Sequence, residues 1–151
     1  MNDTFSLSID GQDMIGRQGQ TVMEVARENG VNIPSMCDSP HLKSFGSCRL
    51  CIIEIDGQAG TPSSCTTPAL KGMDVHTTSE RLWDLRRGIT ELYVSEHPLD
   101  CLTCTANGDC ELQDIAGEVV SETLDLTIPL IVKMCLLTGQ ILSFDLMLAS
   151  A

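Results

Sequence analysis

Apolar and polar residues alternate at the start of the chain. Phe5, Leu7 and Ile9 are separated by Ser6 and Ser8, which is the period of a strand with one buried face. Asp10-Gly11 follows, a dipeptide suited to tight hairpin turns, so residues 12–17 are predicted to return as the partner strand. Thr21-Val22-Met23-Glu24 has the capping-box pattern that opens a helix. Val22, Val25 and Ala26 give that helix one apolar face, and Gly30 is placed to end it. Val31 to Pro34 is expected to be extended, because a residue before proline avoids the helical region. Residues 35–50 read as a loop. Ile52, Ile53 and Ile55 suggest a strand, Asp56-Gly57 a turn, Gln58 to Cys65 a partner strand and Asp74 to Thr77 a last short strand. Leu82, Leu85, Ile89 and Leu92 recur at near-helical spacing, so a second helix, capped by Thr78 or Ser79, is predicted to about Ser95, with His97-Pro98 ending it. Residues 98–110 read as a cysteine loop. Glu111 to Ala116 should form a short helix that Gly117 stops. Beyond Glu118 the pattern weakens, although residues 134–149 are apolar enough for a buried element. Two strands, a helix and then further strands make an α+β order.

Composition narrows the classes. A chain of 151 residues has room for one modest domain with appendages. Its formal net charge of −12 opposes nucleic-acid binding, which needs a basic face, and opposes docking to an anionic membrane. The first residues lack the basic and apolar regions of a signal peptide. The uncharged run from Met134 to Phe144 is too short to cross a bilayer. The expectation is a cytoplasmic chain with no direct membrane insertion. The acidic residues between Glu80 and Asp114 read as a solvated face, and His41 and His76 as surface residues.

Chemistry concentrates in the cysteines. Cys37, Cys48, Cys51 and Cys65 are spaced C-x10-C-x2-C-x13-C; His97, Cys101, Cys104 and Cys110 are spaced H-x3-C-x2-C-x5-C. With no signal peptide, and with two tight C-x2-C pairs, these are expected to be metal ligands rather than disulfide partners. Each group supplies the four donors that one iron–sulfur cluster takes. The first suits a [2Fe–2S] cluster, with Cys65 closing the site from a separate strand. Gly46, Ser44 and Ser47 would let the backbone approach closely enough for amides to point at the sulfurs. The second suits a [4Fe–4S] cluster with one imidazole and three thiolates. Zinc is the competing reading at both sites, since three cysteines and one histidine are also a standard zinc set. His97 could instead merely cap the preceding helix.

Val31-Asn32-Ile33-Pro34 through Cys37, then Gly46-Ser47-Cys48-Arg49-Leu50-Cys51, resembles the [2Fe–2S] domain that opens the large iron–sulfur subunit of NADH dehydrogenase. The same module begins many [FeFe]-hydrogenases and NAD-dependent formate dehydrogenase alpha subunits. His97-Pro98-Leu99-Asp100-Cys101-Leu102-Thr103-Cys104 and Asn107-Gly108-Asp109-Cys110-Glu111-Leu112-Gln113-Asp114 resemble the histidine-ligated four-iron segment of that family, in wording nearer its hydrogenase and formate dehydrogenase branches. The resemblance covers residues 4–116. It implies a β-grasp, ferredoxin-like domain at 1–78 and a small helical histidine-ligated [4Fe–4S] segment at 79–116, followed by an extension at 117–151. It also implies the eight ligands named above. Its members pass electrons between an NAD(P)H- or flavin-bearing module and a catalytic centre, which is molybdenum or tungsten pterin, a hydrogenase cluster or quinone. The family usually continues into C-x2-C-x2-C repeats. Here Lys133 to Ile141 keeps only Cys135, with Thr138 and Ile141 where cysteines would stand, so Cys135 reads as a free buried cysteine.

The leading expectation is therefore an iron–sulfur electron-transfer module. No Gly-rich nucleotide fingerprint, nucleophile–base pair or carboxylate pair marks a catalytic centre of its own. A truncated one-cluster interaction protein and a zinc-stabilised binding module remain the alternatives.

Overall fold

In the computed structural model, residues 4–39, 41–98 and 100–123 are described. The chain divides into two compact units, residues 1–86 and 87–151.

The first unit opens with β1 (Thr4–Ile9) and β2 (Gln12–Arg17), paired antiparallel from Thr4 opposite Arg17 to Ile9 opposite Gln12. Asp10 and Gly11 join them with φ of 51° and 76°, the paired left-handed conformations that a two-residue hairpin of this twist requires. Helix α1 (Val22–Glu28) starts at Thr21, whose hydroxyl accepts from the Glu24 amide while the Glu24 carboxylate accepts from the Thr21 amide. Gly30, at φ 80°, turns the chain out of the helix. Two short strands, β3 (Glu54–Ile55) and β4 (Asp74–His76), complete a sheet in the order β2-β1-β4-β3. β1 and β4 are parallel and the other two pairs antiparallel. Leu7, Ile9 and Met14 from the hairpin, Val22, Val25 and Ala26 from α1, and Ile53, Ile55 and Val75 from the later strands form one buried cluster. This is the α+β, β-grasp arrangement: a mixed sheet closed over one helix. The Asp10 carboxylate accepts from the Thr77 amide at 2.7 Å and from its hydroxyl, tying the hairpin turn to the end of β4.

Two expectations need correction. Residues 58–65 do not form a strand. β3 takes β4 as its ladder partner, and the strand-like pairing of the 58–65 segment is limited to an isolated Ile52–Ser63 bridge. The isoleucine strand accordingly shrinks to two residues. Gly117 does not stop its helix: α3 runs Glu111–Thr123, with Ile115, Ala116 and Val119 buried around the glycine. A helix-interior glycine costs about 1 kcal/mol, which such burial outweighs. Helix α2 (Glu80–Glu96), entered through the Ser79 hydroxyl accepting from the Leu82 amide, forms where the leucine spacing predicts it. Leu85 and Leu92 are exposed, while Leu82, Arg86, Thr90 and Val94, each four residues apart, are buried.

Candidate metal centres

The loop that leaves α1 carries Cys37, Cys48 and Cys51, and its course is fixed at several points. The Val31 amide donates to the Ala26 carbonyl at 2.9 Å, and Ile33 is buried in the core. The Asp38 carboxylate accepts from the Ser44 hydroxyl and pairs with Arg27 of α1. The Ser44 hydrogen bond and the Arg27 guanidinium hold its carboxyl below the usual range. Gly46 sits at φ 69° and Arg49 at φ 60°. Two left-handed residues in so short a stretch curl the backbone so that successive amides face inward, the geometry of an anion-binding nest. The Arg49 side chain reaches across to Ser63 Oγ at 3.0 Å.

Cys65 is supplied by a turn rather than a strand. The Ser64 amide donates to the Cys51 carbonyl at 2.8 Å and the Ile53 amide to the Pro62 carbonyl at 3.0 Å. These bonds lay the two segments side by side and bring Cys51 Sγ to 3.4 Å from Cys65 Sγ. Cys37 and Cys48 form the second pair, with the Cys48 amide 3.5 Å from Cys37 Sγ. Cys48, Cys51 and Cys65 are buried and Cys37 is half-buried. All seven described cysteines are free thiols.

The electrostatics follow from this packing. Burial pushes the Cys37 thiol up, against amide donation from Cys48 and Ser47. Burial, then the hydrogen bond and charge of Cys51, push Cys65 up to about 12, with the Gly46 amide opposing. Burial also acts to raise Cys48, but the amides of Met36 and Leu50 and its contacts with Cys37 win, and its thiol lies below the ordinary value. Four thiols so crowded cannot all ionise by themselves. Bound cations would relieve the repulsion, and the inward amides are donors suited to thiolate and sulfide sulfur.

The geometry also discriminates between ions. Two thiolates on one tetrahedral ion with bonds of about 2.3 Å stand about 3.8 Å apart, close to the Cys51–Cys65 spacing. A single zinc would need all four sulfurs at that mutual distance. Among the described residues, the only trio of cysteine, histidine or carboxylate donors within 4.8 Å of one another is Asp56, Asp74 and His76. The four thiols are therefore two pairs and not one tetrahedron, an arrangement that fits two metal ions held two-and-two.

In the second unit, His97 is the first residue past α2, its amide donating to the Val94 carbonyl at 3.2 Å. Cys101 and Cys104 lie on consecutive turns, and Cys110 precedes α3, its carbonyl accepting from the Asp114 amide at 3.1 Å. Gln113 braces this loop, accepting from the Gly108 amide at 3.2 Å and donating to Asn107 Oδ1 at 2.9 Å. His97 and Cys104 are exposed; Cys101 and Cys110 are half-buried. No three of these donors lie within 4.8 Å of one another. A cubane cluster spreads its ligands over four irons, further apart than they stand around one ion.

Sequence reasoning missed several residues. Nothing in the local pattern marks Arg27–Asp38 or Arg49–Ser63, which join positions far apart in the chain. Arg86 was hidden by its charge, which argues against the burial it has. His76 was expected at the surface. Its side chain is there, 42% exposed, but its Nε2 lies 3.2 Å from Asp56 Oδ1, a partner the sequence did not mark, while His41 is exposed. Cys135 and the degenerate repeat at 133–141 lie outside the described residues.

Against known proteins, residues 2–80 match the family of 2Fe-2S iron-sulfur cluster binding domains, and residues 86–122 match the NADH-ubiquinone oxidoreductase-G iron-sulfur binding region. The two matches indicate both a [2Fe–2S] and a [4Fe–4S] cluster. The chain is 39% identical over 109 residues to the NADPH-Fe(3+) oxidoreductase subunit alpha of Geobacter sulfurreducens, covering 72% of this chain and 13% of that protein. It is 36% identical over 118 residues to the NADP-reducing hydrogenase subunit HndD of Solidesulfovibrio fructosivorans, covering 74% and 20%. A crystal structure of NAD+-reducing [NiFe]-hydrogenase in the H2-reduced state superposes with a TM-score of 0.72 at 36% identity, covering 76% of this chain and 48% of that one. The chain thus spans between 13% and 20% of the length of these two relatives. The first match takes in more than half of the sequence, and the chain belongs to the family of 2Fe-2S iron-sulfur cluster binding domains, followed in the same chain by the NADH-ubiquinone oxidoreductase-G iron-sulfur binding region.

Proposed function

We propose that the chain is a two-cluster electron relay within a larger cytoplasmic oxidoreductase. In this reading residues 1–78 hold a [2Fe–2S] cluster on Cys37, Cys48, Cys51 and Cys65. Residues 79–116 hold a [4Fe–4S] cluster on His97, Cys101, Cys104 and Cys110, and residues 117–151 are an extension. The observation that carries it is the two-and-two pairing of the first four thiols beneath inward-facing amides. That pairing suits two irons, and the amides favour the more negative reduced state. When bound, the clusters supply one-electron chemistry. The chain's own residues hold the sulfurs, exclude water from Cys48, Cys51 and Cys65, and set the local field.

The proposed partners are an NAD(P)H- or flavin-bearing subunit on one side and a catalytic subunit of hydrogenase or formate dehydrogenase type on the other; the relatives' names support the NAD(P) link and the hydrogenase type. Among the described residues no helix is long and apolar enough to cross a membrane. The test is iron and zinc content of anaerobically purified protein, read beside low-temperature EPR after dithionite reduction. About six irons per chain with two distinct signals supports the relay. About two irons with one signal reduces it to a one-cluster module, and zinc without iron refutes it.

A further inference from the structure

A group of donors outside both cysteine centres lies on the short β3–β4 ladder. Glu54 is opposite His76 and Ile55 opposite Val75. The Asp56 amide donates to the Asp74 carbonyl at 2.9 Å, which carries the pairing one residue further. Side chains alternate between the faces of a sheet, and cross-strand partners share a face. Ile55 and Val75 belong to the buried core. Asp56, Asp74 and His76 are therefore together on the opposite face, and one donor atom from each lies within 4.8 Å of the other two. His76 Nε2 is 3.2 Å from Asp56 Oδ1.

A surface ion pair would account for the contact between His76 and Asp56. It does not account for Asp74. The Asp74 Oδ1 is buried and has no hydrogen-bond partner among the described residues. A carboxylate oxygen taken out of water is costly without a donor or a cation beside it. Glu54, the remaining member of this face, is already paired with Arg81 at 3.2 Å. Ligand atoms held at about 2.1 Å around one first-row ion stand about 3.0–3.4 Å apart, the spacing that His76 and Asp56 have. Two carboxylates and one imidazole are a donor set suited to divalent manganese, iron or zinc.

We propose that Asp56, Asp74 and His76 form a divalent-cation site, with water filling the remaining positions, that clasps the β3–β4 edge of the sheet. One ligand comes from the turn after β3 and two from β4, so a bound ion ties the two strands together. The ladder between them has only two residue pairs, which leaves this edge the most in need of such a tie. Binding is ligation alone and moves no electron, so the site is separate from any redox role of the cysteines.

The experiment is a Mn2+ titration of the full chain, purified anaerobically, dialysed against EDTA and with its iron counted. Binding is read from the room-temperature EPR signal of free Mn2+. Mn2+ is the probe because carboxylates suit it better than thiolates do. The expected result is one Mn2+ per chain in the wild type, with Kd raised about tenfold or more in Asp74→Asn and His76→Gln. Glu91→Gln, which removes an exposed carboxylate on α2, should leave Kd unchanged. Saturating Mn2+ should raise the thermal midpoint of the wild type and not that of D74N, because only the folded wild type binds it tightly. Should D74N fail to fold, H76Q carries the same two readings. The proposal is overturned by a wild type that binds no stoichiometric Mn2+, or by a smaller change of Kd in H76Q. An equal loss of binding in E91Q also overturns it, since that marks diffuse attraction to an acidic surface.

Discussion

Gly46→Ala adds one methyl group to the loop between Cys37 and Cys48, at a residue held at φ 69°. The new Cβ would stand 3.4 Å from Ser63 Oγ and 3.5 Å from both Ser63 Cβ and Thr66 Cγ2, which is ordinary van der Waals contact. Sterics with the neighbours therefore contribute little, and the penalty is the backbone's own. A residue with a Cβ in the left-handed region costs about 1–2 kcal/mol. Relaxing φ does not escape it, because the Gly46 amide points at Cys65 Sγ and turning it away gives up a hydrogen bond to a sulfur that is charged when metal is bound. A loss of about 1–2 kcal/mol corresponds to a factor of about 5–30 in the population of the opened loop. The assay is the bleaching rate of the visible cluster absorbance under anaerobic conditions with excess iron chelator, at fixed temperature. G46A should bleach about 5–30-fold faster than wild type. Gly88→Ala is the control: its Cβ meets nothing within 4 Å on the exterior of α2, and alanine is favoured there by about 0.5–1 kcal/mol. G88A should bleach no faster than wild type. A G46A rate within twofold of wild type would refute the reasoning.

Other outcomes follow from the same geometry. His97→Ala should abolish or reshape the four-iron EPR signal and leave the two-iron signal intact; an unchanged four-iron spectrum removes His97 from the ligand set. Thr21→Ala removes the hydroxyl half of the capping box and should cost about 0.5–2 kcal/mol, seen as a lower thermal midpoint, whereas Thr21→Ser should recover most of it. Asp38 is held below its ordinary value of 3.8, so its support of the cysteine loop is fully present above that value and is lost as pH falls through the lowered value. Asp38→Asn, neutral throughout, should bleach faster than wild type at pH 7, and the two rates should converge in acid. A ratio that stays constant from pH 7 to pH 3 counts against the Arg27–Asp38–Ser44 brace.

The parts of the fold legible in the sequence are those in which neighbours in the chain are also neighbours in space. The β1–β2 hairpin needs only alternation and an Asp-Gly turn, and α1 needs only a capping box and a glycine. The pairing of β3 was not legible. Its choice of β4 over residues 58–65 is settled across a long loop, and the hydropathy of Gln58 to Cys65 carries no trace of it. The leucine spacing of α2 marked the helix but not its buried row. Burial follows Leu82, Arg86, Thr90 and Val94, two of which are polar, so only Leu82 belongs to both rows. At the metal site the sulfur donors were plain from spacing. Their division into pairs was not, because Cys51 is brought to Cys65 by backbone bonds between segments separated in the sequence, from Ser64 to Cys51 and from Ile53 to Pro62. Arg86 was invisible on both counts, being charged where the pattern asks for an apolar residue and acting on a loop remote in sequence.

The parallel pairing of β1 with β4 has a bearing on biosynthesis. β1 is translated before the other strands of its sheet, and the partner that covers its free side ends at His76. Every thiol of the first centre is encoded between the two. A nascent chain on the ribosome therefore presents the open side of β1 and all four cysteines together, before the strand that closes the sheet has emerged. A long-range parallel contact of this kind is slow to form, because the loop must be closed before the contact gains anything. That interval is when a cellular metal donor has freest access to the sulfurs, and when an unpaired strand edge most needs a chaperone.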